Sequence, residues 1–256
     1  MTKKILMLHG YAQSDSIFYA KTGGFRKNLA KLGYELCYPC APIKIKGADI
    51  RDIGDIASTF NTNSGTDEIY GWWAKTVNDQ YKISPETLEF LKDYVLKNGP
   101  FEGLIGFSQG AGFGGYLCTN FNELLDLTKE QQPDLKFFIS FSGFRLYPEW
   151  FQEQYEKYPI TLPSLHVQGE LDTVVEESRV MRLYNACESQ SRTMLKHPGG
   201  HFVPNSKGFV TKVINWLQAV DRGSGTEVEK EEKCADLSTP QIDSDLLDII
   251  DGMGKI

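Results

Sequence analysis

Short runs of consecutive apolar residues alternate along the chain with stretches of helical apolar spacing. Such runs are typical of strands buried on both faces of a parallel sheet. Strands are predicted at 4–8, 34–38, 135–141, 164–168 and 193–196 and directly before Ser108; helices are predicted at 22–32, 84–97, 176–186 and 207–220 and directly after Ser108. This alternation predicts an α/β protein with a mostly parallel sheet flanked by helices.

Two polar and aromatic segments, 43–82 and 147–158, interrupt this alternation. Long segments between regular elements are usually either functional or disordered inserts, and the aromatic residues suggest that the first one folds back over the sheet near the active site. Trp72 and Trp73 either wall an apolar substrate pocket or only anchor the segment to the core. Phe144 is a third candidate for the pocket.

The pattern ends after Asp221. Residues 222–256 hold nine acidic and four basic residues, whereas the whole chain has a net charge of -7. We predict one domain over residues 1–221 and an acidic, disordered tail over 222–256. Isoleucines and leucines alternate with aspartates between residues 242 and 251. A merely solvated tail is the simpler interpretation, and a short helix that binds a protein partner is the alternative.

Charge and composition exclude several classes of protein. A net charge of -7 argues against a nucleic-acid partner. No apolar run approaches the ~20 residues of a membrane span, and the start of the chain lacks a signal-peptide core. Five cysteines are an odd number, which favours free thiols and a cytoplasmic location. Cys37 and Cys40 form a C-x-x-C without a second ligand pair, so we predict no metal or redox site there.

The motif G-x-S-x-G, formed by Gly106, Ser108 and Gly110, lies between a predicted strand and a predicted helix. A sharp turn there exposes the serine in a strained conformation, and the helix start supplies backbone N–H groups. We predict Ser108 as a nucleophile. Gly110, Gly112 and Gly115 also match G-x-G-x-x-G, but this match begins after the strand end. We attribute these glycines to close helix packing and predict no cofactor.

A serine nucleophile requires a histidine base and an orienting acid. Asp172 follows strand 164–168 and is the predicted acid, with Glu170 as the alternative. His201 follows the last strand and two glycines and is the predicted base, with His197 as the alternative. The order Ser, Asp, His is that of the α/β-hydrolase fold.

The loop after the first strand, His9-Gly10-Tyr11, is expected at the same edge of the sheet. We predict an oxyanion hole formed by the backbone N–H of Tyr11 or Ala12 and that of Gln109. His9 itself is interpreted as a polar residue that closes the loop through hydrogen bonds. His166, inside a strand, is interpreted as a core residue.

Five segments together resemble the FSH-type serine hydrolases, a family that includes yeast proteins and the human ovarian-cancer-associated gene 2 product. They are L-H-G-Y-A-Q-S (8–14), G-F-S-Q-G-A (106–111), F-I-S-F-S-G (138–143), G-E-L-D (169–172) and H-P-G-G-H-F-V-P (197–204). The resemblance covers about residues 3–220. It implies an α/β-hydrolase fold, a triad of Ser108, Asp172 and His201, and esterase or thioesterase activity without metal or organic cofactor.

We therefore expect a serine hydrolase that cleaves oxygen or thio esters of apolar acyl groups through an acyl-enzyme. Its expected partner is a small acyl ester or thioester. The alternative is a non-catalytic binding module that keeps the fold and uses its acidic tail to bind a protein.

Overall fold

A sheet of six parallel strands organises the molecule, whose computed structural model describes residues 2–45, 68–74 and 80–223. Its strands are β1 (Lys3–Leu8), β2 (Tyr34–Cys37), β5 (Gly103–Phe107), β6 (Phe137–Phe141), β7 (Ser164–Gly169) and β8 (Arg192–His197), while β3 (Ile43–Lys44) and β4 (Tyr70–Gly71) form a separate antiparallel pair. The helices are α1 (Asp15–Lys21), α2 (Gly23–Lys31), α3 (Pro85–Asn98), α4 (Gln109–Leu117), α5 (Phe121–Leu124), α6 (Gln152–Lys157), α7 (Glu177–Asn185) and α8 (Lys207–Asp221), with a 3₁₀ turn at Glu149–Phe151.

The six-stranded sheet has the order β2-β1-β5-β6-β7-β8, and every neighbouring pair is parallel. The prediction of a mostly parallel sheet flanked by helices is therefore confirmed. Because the strands are parallel, their carboxyl ends lie at one edge of the sheet. That edge carries the segments 9–12, 108–110, 142–144, 170–172 and 197–201, which hold all the predicted catalytic and oxyanion-hole residues.

Alternate side chains of the central strands enter two apolar layers, one on each face of the sheet. One layer contains Leu6, Leu104 and Phe138 and packs against α3 and α4. The other contains Ile5, Ile105 and Phe137 and packs against α2 and α8. Coverage of both faces explains why the strands appear in the sequence as continuous apolar runs.

The first helical region differs from its prediction. A single helix was expected over 22–32, whereas the structure has α1 and α2 with a break at Thr22. Ser14 caps α1 by accepting a hydrogen bond from the Ile17 N–H at 3.3 Å. The Thr22 hydroxyl donates to the Phe18 carbonyl at 2.8 Å, which satisfies the end of α1. Gly33 follows α2 at φ 81°, the left-handed conformation typical of a helix end.

Two histidines of the sheet region are buried in their neutral form. His166 has no exposed surface, as predicted for a core residue, and its Nε2 lies 3.2 Å from the Ser164 hydroxyl. Burial, followed by the charge of Arg192, lowers the pKa of His166 to about 3. Burial also lowers the pKa of His9 to about 4, although the Gly10 carbonyl and Asp15 oppose this shift.

These two side chains make the fold sensitive to mild acid. Since both folded-state pKa values lie below the ordinary 6.5, the unfolded chain binds more protons between pH 6.5 and 4. The contribution of these two neutral histidines to the free energy of unfolding is fully present above pH 6.5 and decreases as the pH falls. We expect a loss of about 2 kcal/mol per histidine between pH 7 and pH 5, measured by urea unfolding. His166→Gln should remove about half of this dependence. Equal unfolding midpoints at the two pH values would contradict this prediction.

Residues 1, 46–67, 75–79 and 224–256 lie outside the described part of the chain. They include most of the segment 43–82 and almost all of the predicted tail, so the placement of the segment, the domain boundary and a partner for the tail stay predictions. None of the described helices combines the length and apolarity required to cross a membrane.

Candidate active site

Ser108 lies at the sharp turn between β5 and α4, with φ 51° and ψ -116°. A non-glycine residue rarely adopts a positive φ, and such strain is typical of functional sites. The flanking glycines allow the turn. A Cβ on Gly106 would lie 2.5 Å from the Ala111 Cα, and a Cβ on Gly110 would lie 2.2 Å from the Leu8 carbonyl oxygen. The G-x-S-x-G spacing therefore follows from the close packing of α4 on β5 and β1.

Three of the predicted site residues form one hydrogen-bonded line. The Ser108 Oγ lies 3.0 Å from the His201 Nε2, and the His201 Nδ1 lies 2.8 Å from the Asp172 Oδ2. All three residues are buried, and the Phe107 ring packs against the imidazole at 4.8 Å between centroids. With its Nδ1–H donated to a carboxylate, the imidazole can accept the serine proton at Nε2.

Backbone hydrogen bonds join the loops that carry Asp172 and His201. The Glu170 N–H donates to the His197 carbonyl at 2.9 Å, and the Leu171 N–H donates to the Gly199 carbonyl at 3.0 Å. A Cβ on Gly169 would lie 2.4 Å from the Gly200 carbonyl oxygen. The glycines after β7 and β8 thus let the acid and the base approach each other.

The Asp172 carboxylate is held in its charged form. Burial alone would raise its pKa, but the His201 ring, the Val175 N–H and the Ser142 hydroxyl bind the carboxylate, and the net effect lowers the pKa. Asp172 Oδ1 accepts from the N–H groups of Val174 at 3.0 Å and Val175 at 2.9 Å. The sequence interpretation missed Ser142, although its place directly after β6 marked it as a residue of this edge.

The alternative acid, Glu170, and the alternative base, His197, do not take part in the hydrogen bonds that join Ser108, His201 and Asp172. Glu170 is exposed. His197 is buried, its Nδ1 accepts from the Gly199 N–H at 3.2 Å, and its ring packs against Phe202 and Phe209. Burial lowers the pKa of His197. His197 therefore stabilises the loop that positions His201.

The proposed oxyanion-hole donors lie near Ser108. A Cβ on Gly10 would be 3.4 Å from the Ser108 Cβ, which places the loop after β1 beside the serine. Ala12 has a positive φ of 55°, and Gln109 is the first residue of α4, where backbone N–H groups lack intrahelical acceptors. Among the described residues, no group accepts a hydrogen bond from the N–H of Ala12 or Gln109. Their role, and that of Tyr11, stays a prediction.

The side chains of Gln109 and His9 hold segment 68–74 against this edge. Gln109 Oε1 accepts from the Trp72 N–H at 2.8 Å, and its Nε2 donates to the Trp73 carbonyl at 2.9 Å. His9 Nε2 accepts from the Ala41 N–H at 2.9 Å, and the His9 carbonyl accepts from Trp72 Nε1 at 2.9 Å. The interpretation of His9 as a loop-closing residue is confirmed. The sequence did not indicate the role of the Gln109 side chain.

We expect Gln109→Ala to lower both stability and kcat. The change leaves the Trp72 N–H and the Trp73 carbonyl buried without partners, at a cost of about 1–3 kcal/mol each. Urea unfolding and ester hydrolysis measure the two effects. The exposed Gln190→Ala is the control and should change stability by less than about 0.5 kcal/mol. A Gln109→Ala protein as stable as this control would show that the hydrogen bonds of Gln109 to Trp72 and Trp73 do not stabilise the fold.

The aromatic residues proposed for the substrate pocket lie in the apolar core. Trp72 has no exposed surface and packs against Phe113 at 5.3 Å, so in this structure it anchors its segment and does not wall an open pocket. Trp73 stacks on Tyr81 at 4.7 Å and meets the Phe144 ring edge-on at 6.4 Å. Both Trp73 and Phe144 are buried. Contact of these two rings with an acyl chain stays a prediction.

Cys37 and Cys40 lack the features of a reactive pair. Both thiols are half-buried, and burial is the main cause that raises the pKa of each. In the described ranges, no three His, Cys, Asp or Glu side chains come together as a possible metal site.

The chain is similar to known hydrolases over most of its length. Residues 1–213 match the family described as serine hydrolase (FSH1). The chain is 52% identical over 263 residues to the Family of serine hydrolases 3 protein of Saccharomyces cerevisiae, covering 99% of this chain and 98% of that protein. It is 34% identical over 211 residues to the esterase OVCA2 of Danio rerio, covering 78% of this chain and 90% of that protein.

Solved structures confirm the fold class. The acyl-protein thioesterase 2 of Zea mays superposes with a TM-score of 0.52 at 17% identity, covering 86% of this chain and 94% of that one. The esterase PE8 gives a TM-score of 0.54 at 18% identity, covering 86% of this chain and 93% of that one. These neighbours share the α/β-hydrolase fold predicted from the sequence. The family match over residues 1–213, together with the 52% identity to the yeast relative, shows that the chain belongs to the FSH1 family of serine hydrolases.

Proposed function

We propose that the protein is a serine hydrolase that cleaves oxygen or thio esters of apolar acyl groups, with Ser108 as nucleophile, His201 as base and Asp172 as orienting acid. The observation that carries the proposal is the continuous line from the Ser108 Oγ through the His201 ring to the Asp172 carboxylate. The family match and the esterase relatives support the same reaction class.

Ser108, His201 and Asp172 each have a defined role in the proposed acyl transfer. His201 Nε2 takes the proton of Ser108 as the oxygen attacks the ester carbonyl carbon, and the charge of Asp172 stabilises the imidazolium. The protonated His201 then delivers that proton to the leaving oxygen or sulfur. Water, activated by the same nitrogen, releases the acid from the acyl-enzyme. The N–H groups of Ala12 and Gln109 are the proposed donors to the oxyanion, each typically worth ~3 kcal/mol.

Apolar surface beside the proposed triad supports an apolar acyl group. Leu171 precedes Asp172 and has 70% of its surface exposed, and Phe202 follows His201 with 49% exposed. Large exposed apolar side chains next to a buried polar site are typical of binding surfaces. The cytoplasmic location expected from the sequence stays a prediction.

Hydrolysis of p-nitrophenyl esters of increasing chain length, beside the matching thioesters, tests the proposal. We expect rates that peak at intermediate or long acyl chains because Leu171 and Phe202 contact the chain. A folded protein that hydrolyses none of these substrates and resists labelling by a fluorophosphonate would favour the non-catalytic binding module instead.

A further inference from the structure

Three arginines, located after β6 and on α7, lack an acidic partner in the part of the chain that the structure describes. Arg145 follows β6, and Arg179 and Arg182 lie one turn apart on α7. In residues 2–45, 68–74 and 80–223, none of the three guanidinium groups forms an ion pair or a hydrogen bond. Guanidinium groups are always charged at neutral pH, so the three form a concentrated positive surface.

Aromatic rings hold these guanidinium groups in place. Arg145 lies over the Tyr155 ring at 4.7 Å, and Arg182 lies over the Tyr147 ring at 5.9 Å. Arg179 lies over the Phe144 ring at 4.3 Å. Stacking on a ring face orients a guanidinium without using its N–H donors. The donors of the three arginines therefore stay available for a ligand.

A cavity of about 310 Å³ lies between two of them, Arg145 and Arg182. The Nε of Arg145 is buried and has no hydrogen-bond partner among the described residues, although a buried donor without a partner is costly. The cavity volume equals that of about ten water molecules, which is sufficient for a phosphate group. A bound anion would supply the acceptor that the Arg145 Nε lacks.

The rim of the cavity is fixed by hydrogen bonds. Gln152 Nε2 donates to the carbonyls of Leu146 at 2.7 Å, Tyr147 at 3.2 Å and Pro148 at 3.1 Å. The Tyr147 N–H donates to the Tyr81 hydroxyl at 3.1 Å. A preformed rim loses little freedom when a ligand binds, which favours affinity.

The cavity is near enough to the triad to bind part of the same molecule. Ser142, whose hydroxyl binds the Asp172 carboxylate, precedes Arg145 by three residues. Three residues span at most about 11 Å. An ester at Ser108 and an anionic group at Arg145 can therefore belong to one substrate.

We propose that Arg145 and Arg182 bind a phosphate group carried by the substrate, an inference that rests on the proposed ester or thioester hydrolysis. Phosphate oxygens suit two guanidinium forks because each fork offers paired N–H donors. Glu149 also lines the cavity and is exposed; its charge weakens the field without neutralising two arginines. A phosphate of this kind is found in a coenzyme A thioester or in a lysophospholipid.

The test compares substrates that differ only in the phosphate. One pair is an acyl-4′-phosphopantetheine, the acyl-bearing part of an acyl-coenzyme A, and the same acyl-pantetheine; the other is a lysophosphatidic acid and the matching monoacylglycerol. We expect the wild type to prefer the phosphate-bearing member of at least one pair by about tenfold in kcat/KM. The pair that shows the preference identifies the source of the phosphate.

Arg145→Gln/Arg182→Gln should abolish this preference through KM and leave hydrolysis of the phosphate-free substrates unchanged. Glu149→Gln should strengthen the preference. Equal kcat/KM within both pairs, or a preference that survives in the double variant, would overturn the proposal. Calorimetry with coenzyme A and with glycerol 3-phosphate measures phosphate binding independently of ester hydrolysis. Arginine-dependent binding of either, without hydrolysis of any ester, would overturn the proposed function and retain the phosphate site.

Discussion

Ser108→Ala is expected to reduce kcat for ester hydrolysis by about 10⁴-fold or more while leaving the fold intact. The Oγ is the only atom removed, and it is the atom that faces the His201 Nε2 at 3.0 Å. Without it no acyl-enzyme can form at this position. Removing the hydroxyl takes nothing from the turn itself, because the bond of the Ser108 N–H to the Phe141 carbonyl at 2.8 Å is a backbone bond.

A neighbouring serine provides a matched control. Ser140 on β6 has no exposed surface, and within the described ranges its hydroxyl has no hydrogen-bond partner. Ser140→Ala should therefore retain kcat within about a factor of two. Steady-state kinetics on one p-nitrophenyl ester, with circular dichroism to verify folding, measure both variants. Near-normal turnover by a folded Ser108→Ala protein would show that the nucleophile is elsewhere.

Asp172→Asn is expected to lower kcat by about 10⁴-fold. Asparagine cannot stabilise the imidazolium with a negative charge, and its amide can favour the wrong tautomer of His201. The hydrogen bonds from Val174 and Val175 to Oδ1 can be retained by the amide carbonyl, so a collapse of the loop is not expected. The loss should appear in kcat much more than in KM, because Asp172 acts through His201.

Glu170→Gln is the control for charge on the same loop. Glu170 is exposed and lies two residues before Asp172, so this variant should change kcat by less than about twofold. Comparison of the two variants at one pH measures the effect. A large loss in Glu170→Gln with a small loss in Asp172→Asn would assign the acid to Glu170.

The sequence was most informative where local geometry restricts residue type. The continuous apolar runs predicted the parallel strands, since strands covered on both faces need no polar side. The glycines around Ser108 predicted a sharp turn because larger residues would collide with Ala111 or with the β1 backbone. The order of Ser108, Asp172 and His201 placed all three at strand ends, and the structure brings them within hydrogen-bond distance.

The pattern of residue types along the sequence did not predict the contacts between distant segments. Nothing in the sequence relates the Gln109 side chain to the backbone of Trp72, or the Ser142 hydroxyl to Asp172. An aromatic cluster is compatible with a pocket wall and with a core anchor, and only the burial of Trp72 distinguishes the two. Likewise, the sequence did not indicate a phosphate site at Arg145 and Arg182, because only the structure shows that these side chains lack acidic partners among the described residues.

Identification of the covalently modified residue shows whether Ser108 is the nucleophile. The protein is treated with a fluorophosphonate, or quenched during turnover of a slow ester, and its peptides are analysed by mass spectrometry. We expect a single adduct on the peptide that contains Ser108, and no adduct in Ser108→Ala. An adduct on another residue, or rapid hydrolysis without any adduct, would show that Ser108 is not the nucleophile.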